Sequence, residues 1–197
     1  MTDNFFERQL NKKDTQALES VLKMNKFRDG TFVEIGTWMG YSTSILSRNA
    51  RVCGSKVITI DTFDGAGSHL EKVANENNIE ALATEALKKH GCLDNVTIVE
   101  ANSREYVHTI AGESLDLVFL DGDHRYSSIS QDIDLWWPKI KNGGILCGHD
   151  YNGKVFKEEY IEQDFVEEKH HGVCKAVSER FEDVTTFEDS SIWMITK

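Results

Sequence analysis

Residues Thr31 to Ile35 form a short apolar run that ends in a glycine turn and passes straight into a helical pattern over residues 41 to 49. That succession repeats down the chain, with further apolar runs at 56–60, 96–99, 115–120 and 144–147. Segments of helical spacing separate them. One spans Leu10 to Phe27, one runs from the capping-box sequence at Ser68–Glu71 to Gly91, and one follows Asn102 and Ser103. Two more are carried by Tyr126, Ile129, Ile133, Trp136 and Ile140 and by Val173, Val177 and Phe181, with Pro138 placed near a helix end where it does least harm. Strands alternating with helices predict a doubly wound α/β sheet of parallel strands. The nearly unbroken apolar run Leu115 to Leu120 suits a strand covered on both faces. Runs at Val184 to Phe187 and Ser191 to Thr196 bring the strand count to seven.

The chain of 197 residues is read as one domain, 1–197, with residues 1–29 as an N-terminal helical cap and residues 152–171 as an acidic, lysine-dotted, lid-like insertion. No apolar run is long enough to cross a bilayer, and the N-terminus lacks the layout of a signal peptide. Cys53, Cys92, Cys147 and Cys174 are scattered, which fits reduced thiols in a cytoplasmic protein. A net charge of −11 repels polyanions, so neither nucleic acid nor membrane is expected as a partner, while a homodimer stays open.

Acids close the strands. Glu34, Asp61, Asp121 and Asp150 each end a predicted strand or follow it directly, which gathers four carboxylates on one rim of the sheet. Ligands of doubly wound sheets bind beyond the carboxyl ends of the strands. Gly36 and Gly40 allow a tight turn and close approach of backbone to a ligand, and Asp61, 25 positions after Gly36, is placed to accept the hydroxyls of a ribose. A dinucleotide site wants G-x-G-x-x-G, whereas this turn reads G-x-x-x-G with Thr37 and Trp38 in the close-approach region. Glu34 would repel a pyrophosphate and suits a cationic amine, such as the amino-acid end of S-adenosylmethionine.

With these residues in view, Glu34-Ile-Gly-Thr-Trp-Met-Gly-Tyr-Ser42 resembles motif I of class I S-adenosylmethionine-dependent methyltransferases, in the style of catechol O-methyltransferase. Leu120-Asp-Gly-Asp-His124 and Gly143-Gly-Ile-Leu-Cys-Gly-His-Asp-Tyr151 resemble the macrocin-type sugar O-methyltransferases, and the likeness covers roughly residues 30 to 197. It implies a Rossmann-like sheet whose last strand is antiparallel. It also implies S-adenosylmethionine as cofactor, held by Glu34, Gly36, Thr37, Gly40, Ser42, Asp61, Phe63, Asn102, Ser103 and Asp121. Asp121, His149 and Asp150 would hold a divalent metal, Mg²⁺ or Mn²⁺. His149 departs from the relatives' oxygen ligand, and imidazole suits Mn²⁺, Fe²⁺ or Zn²⁺ better than Mg²⁺.

The resemblance offers two bases, Asp123 at the macrocin-type position and His124 at the catechol-type position, and leaves the choice between them open. The implied reaction is methylation of a hydroxyl on a small molecule, a sugar or glycosylated metabolite. A metal-free methyltransferase acting on nitrogen or on a macromolecule stays open, as does a non-catalytic S-adenosylmethionine-binding module. Against each site residue stands a plainer role. Asp121, Asp123 and Asp150 can cap helices or bind loop amides, Phe63, Trp38, Trp136 and Trp137 can be packing residues, and His170-His171 is read as exposed loop.

Overall fold

The computed structural model describes residues 9–24, 27–65 and 70–197. Strands β1 (Thr31–Ile35), β2 (Lys56–Asp61), β3 (Val96–Glu100), β4 (Leu115–Leu120), β5 (Ile140–Gly148), β6 (Thr185–Thr186) and β7 (Trp193–Thr196) join in one sheet ordered β3-β2-β1-β4-β5-β7-β6. The first five run parallel and β7 lies antiparallel to both β5 and β6, as the motifs implied. The strand order reverses between β1 and β4, which is where such sheets open a ligand crevice.

Helices cover both faces: α1 (Lys12–Met24), α2 (Tyr41–Val52), α3 (Glu71–Glu76), α4 (Ile79–Lys89), α5 (Ser103–Tyr106), α6 (Tyr126–Trp136) and α7 (His171–Arg180). α1 is capped by Asn11, whose side-chain oxygen accepts from the N–H groups of Lys13 and Asp14. Its apolar stripe, Ala17, Leu18, Val21 and Leu22, is buried with Phe32, Ile45 and Leu46 on one side of the sheet. Burial of Leu18 alone contributes about 1.5–3 kcal/mol. On the other side α6 and α7 pack Ile129, Ile133, Trp136, Val173 and Val177 against Val118, Leu120 and Leu146.

Three boundaries differ from the sequence expectation. The helix expected to reach Gly91 is two helices, because Asn77 is extended and Asn78 starts a new helix by accepting from Ala81 N–H. Adjacent asparagines offer the backbone such local alternatives. Ser68, expected to cap the first of them, lies outside the described residues. Ile140 does not extend α6. A 3₁₀ turn at Trp137–Lys139 carrying Pro138 ends the helix, and Ile140 opens β5, which bulges at Gly143 (φ 79°) so that Leu115 pairs Ile140 but Leu117 pairs Ile145. Trp136 is core, and Trp137 packs on Phe181. Among the described residues no helix is long and apolar enough to cross a membrane.

Candidate active site

The carboxyl ends of β1, β2 and β4 meet at Gly36. Its φ is +96°, and a Cβ there would lie 2.0 Å from the carbonyl oxygen of Asp121, so only glycine fits. The contact is fixed by Asp121 N–H donating to Ile35 O at 2.8 Å and Gly36 N–H to Ile60 O at 2.9 Å. Asp61, ending β2, accepts from the N–H groups of Trp38 (2.7 Å) and Phe63 (2.8 Å), both of which hold positive φ. Burial pushes the Asp61 carboxyl above its ordinary value, and these N–H groups pull against it. The strained turn thereby aims Asp61 and Trp38 into an open cavity of about 850 Å³ that also reaches Gly36, Ser42, Asn102, Ser103 and Asp121. That is the size of a small-molecule site.

Other members of the expected cofactor set stand behind this wall. Glu34 is fully buried under the turn; its Oε2 accepts from the hydroxyls of Thr43 and Thr59, and its Oε1 has no hydrogen-bond partner among the described residues. Burial raises its pKa to about 7. Glu34 lies beneath the cavity wall rather than in it. Thr37 is buried with its hydroxyl on Thr59, and Gly40 (φ 84°) precedes α2; both shape the turn from within. Phe63, expected on an adenosine, packs instead with Met39, Ile79 and Ala83, since its left-handed backbone turns the ring into the core. Asn102 caps α5 by accepting from Arg104 N–H, and Ser103 donates to Asp132 at 2.8 Å.

Across the cavity, the ends of β4 and β5 present a second group. Asp121 and Asp150 (φ 66°) bracket His149, whose Nδ1 lies 3.5 Å from Asp121 Oδ1 and 3.2 Å from Asp150 Oδ2. These three ligand atoms lie within 4.8 Å of one another. The far nitrogen of His149 faces Asp14 of α1 at 3.2 Å, and Asp14 is itself held by Ser190 and Ser191. A carboxylate behind a histidine fixes the ring so that its other nitrogen serves as ligand. Despite their burial, His149 and His124 draw Asp150 well below the usual carboxylate range, and the surrounding aspartates raise both imidazoles well above theirs.

Both expected bases are engaged by partners in this structure. Asp123 is gripped by Arg125 (Nε 2.9 Å, Nη2 2.6 Å) and by the Ser128 hydroxyl at 2.6 Å, and these offset its burial and hold its pKa down. Its lone pairs are spoken for. His124 has Asp164 on Nδ1 at 2.7 Å and Asp150 3.0 Å from Nε2, and against the pull of its burial these carboxylates raise its pKa well above the ordinary imidazole range. The reading of His170 and His171 as exposed loop is also corrected. Both are largely buried at the start of α7, and His170 Nε2 lies 3.4 Å from Asp150.

Sequence reading missed Asp14, Asp164, His170 and the buried Asp132, whose pKa burial lifts to about 6. Asp132 carried a signal, as an acid on the apolar face of α6. Asp14 and Asp164 carried none, the first following two lysines in the N-terminal helix and the second lying among other acids, both far from the strand ends.

Residues 33–151 match the profile of a family described as a methyltransferase domain. The chain belongs to this methyltransferase family. The methyltransferase is 27% identical over 136 residues to the uncharacterised protein R132 of Acanthamoeba polyphaga mimivirus, covering 68% of this chain and 57% of that protein. The chain thus spans little more than half the length of this relative. Among solved structures, the O-methyltransferase NovP superposes with a TM-score of 0.67 at 18% identity, over 94% of this chain and 79% of NovP. TomG of Streptomyces achromogenes, an O-methyltransferase involved in tomaymycin synthesis and solved with S-adenosylmethionine, gives 0.60 at 14% identity over 92% and 80%. The calicheamicin methyltransferase CalS11 gives 0.62 at 16% over 92% and 76%. At such identities these likenesses establish the shared fold.

Proposed function

We propose that this methyltransferase moves the methyl group of S-adenosylmethionine to a hydroxyl oxygen of a small polar acceptor, with a divalent cation held by Asp121, His149 and Asp150. One observation carries the reading: two carboxylates and an imidazole from the ends of adjacent strands converge beside the glycine turn, with Asp14 3.2 Å behind the far nitrogen of the imidazole. Their donor chemistry fits a divalent ion, and the single nitrogen ligand favours Mn²⁺ or Fe²⁺ over Mg²⁺. The glycine cradle at Gly36 and the carboxylate of Asp61 fit a nucleoside cofactor on the other side.

When bound, such an ion lowers the acceptor's pKa and fixes its orientation. The protein's own residues do the positioning. Asp61 and the backbone of the 36–40 turn hold the cofactor, and the 152–171 segment covers the acceptor end through Glu162, Asp164 and His170. Alignment of the two reactants supplies much of the acceleration. A sugar or glycosylated metabolite is the acceptor class favoured by the motifs and by the polar, charged wall of that end.

Turnover of hydroxylated acceptors across a metal series, after chelation with EDTA, tests the reading. Activity should vanish in EDTA, return with Mn²⁺, and be absent in Asp121→Asn while S-adenosylhomocysteine still binds. Full turnover in EDTA by both proteins would leave a metal-free methyltransferase instead.

A further inference from the structure

His124, Asp150 and His170 present three ligand atoms within 4.8 Å of one another, a set that shares Asp150 with the Asp121–His149 pair and brings His124 Nε2 to 3.9 Å from Asp121. His124 Nε2 lies 3.0 Å from Asp150 Oδ2 and His170 Nε2 lies 3.4 Å from Asp150 Oδ1. The rings are 4.2 Å apart, centroid to centroid. We infer that these three residues form a second cation position, specific for a borderline transition metal such as Zn²⁺, Co²⁺ or Fe²⁺, whose occupation clamps the 152–171 segment over the cavity.

Three features support it. The first is how the histidines are held. The far nitrogen of each is engaged by one residue of the segment, Asp164: its carboxylate meets His124 Nδ1 at 2.7 Å and its carbonyl oxygen meets His170 Nδ1 at 2.6 Å. Both Nε2 atoms are thereby turned towards Asp150. Ligating histidines are fixed in this way by a carboxylate or a carbonyl on the opposite nitrogen.

The second is that His124 Nε2 is buried and makes no aligned hydrogen bond, although the Asp150 carboxylate is within reach. Two polar atoms that approach closely yet do not point at each other are arranged as ligands of a common ion are. The third is donor type. Two imidazoles and one carboxylate suit borderline transition metals and are poorly matched to Mg²⁺ or Ca²⁺.

The position joins three parts of the rim. His124 precedes α6, Asp150 ends β5, and Asp164 and His170 belong to the segment, which is otherwise tied down by Tyr126 N–H donating to Ile161 O at 2.8 Å and by Glu162 on Ser127. An ion here would therefore order the segment. The site stands on this geometry whether or not the reaction is an oxygen methylation.

Binding of Co²⁺, followed by its visible absorption, and of Zn²⁺, followed by equilibrium dialysis, tests the inference on the whole protein. Asp121→Asn should keep one tightly bound Zn²⁺ per chain, and the retained site should show the absorption of nitrogen-ligated Co²⁺. His170→Asn should lose that site. Asp164→Ala, which removes no ligand and leaves a shortened side chain on the segment, should weaken it by about 10- to 100-fold. Zn²⁺ should slow amide exchange across residues 152–169 in the wild type and not in His170→Asn. Unchanged metal affinity in His170→Asn, or in Asp164→Ala where His170→Asn does not fold, would overturn the inference. So would a wild-type protein that gives no nitrogen-ligated Co²⁺ spectrum. S-adenosylhomocysteine affinity, measured alongside, reports separately on the methyltransferase reading.

Discussion

The two halves of the cavity are built by different means. The half at β1 and β2 is made of backbone: a glycine at φ +96°, N–H groups fixing Asp61, and a turn in which Trp38 and Phe63 hold positive φ. The half at β4 and β5 is made of side chains, His124, His149 and His170 among Asp14, Asp121, Asp150 and Asp164. A backbone site tolerates little change in its glycines. A side-chain site tolerates backbone change and depends on charges supplied from distant parts of the chain.

The largest effect should separate the halves by glycine. Gly36→Ala forces the ends of β1 and β4 apart, and overpacking plus backbone strain should lower stability by roughly 3–5 kcal/mol in a urea titration. Gly153→Ala, next to the second half, has a φ of +92° but nothing within 4 Å of the added carbon, so it should lose only about 1 kcal/mol. Equal losses would erase the distinction.

Next in size is the charge hidden beneath the backbone half. Glu34 titrates near 4.5 when unfolded and at about 7 when folded, so the folded state holds an extra proton between those values. The Glu34 contribution to the stability of the cofactor-free protein should therefore fall as pH rises from 4.5 to about 7 and level off above. Glu34→Gln should remove that contribution to the slope, leaving the part due to Asp132, and stabilise the protein by about 3 kcal/mol at pH 8, the shift converted at 1.36 kcal/mol per unit. Thermal melts across pH check this; a slope unchanged by the substitution would place the titrating group elsewhere.

The sheet and the backbone half were legible because both are local. Strand, glycine turn and acid follow one another within a few residues, and Gly36, Asp61 and Asp121 fall where the pattern put them. Phe63 was misassigned because a left-handed φ, invisible in composition, turns its ring inward. Asp123 and His124 were recognisable as strand-end residues, but their chemistry is decided by Arg125, Ser128 and Asp164. Arg125 is adjacent in sequence and its grip depends on rotamer; Asp164 arrives from 40 residues away. Asp14 lies still farther from His149, and no spacing rule reaches across such separations.

Smaller effects probe the side-chain half. Asp14→Asn should weaken cation binding by about 10- to 100-fold, the usual worth of an orienting carboxylate. S-adenosylhomocysteine affinity should not change; dialysis and calorimetry on one sample read both. Smallest is Ser103→Ala, which leaves the buried Asp132 without its hydroxyl donor. The loss should be about 1 kcal/mol, with the Asp132 pKa rising above its present value of about 6. An unmoved Asp132 carboxyl resonance in a pH titration would show that Arg104, not Ser103, sets that value.

If the two halves work separately, the backbone half, anchored by Asp61, binds the cofactor without help from the side-chain half. Calorimetric titration of S-adenosylhomocysteine into wild type, Asp61→Asn and Asp121→Asn tests it most directly. Asp61→Asn should lose about 1–3 kcal/mol of binding, the worth of hydrogen bonds to a charged group. Asp121→Asn should bind within about 0.5 kcal/mol of wild type, as expected for an independent site. Wild-type affinity in Asp61→Asn, or equal losses in both variants, would contradict the division of the site.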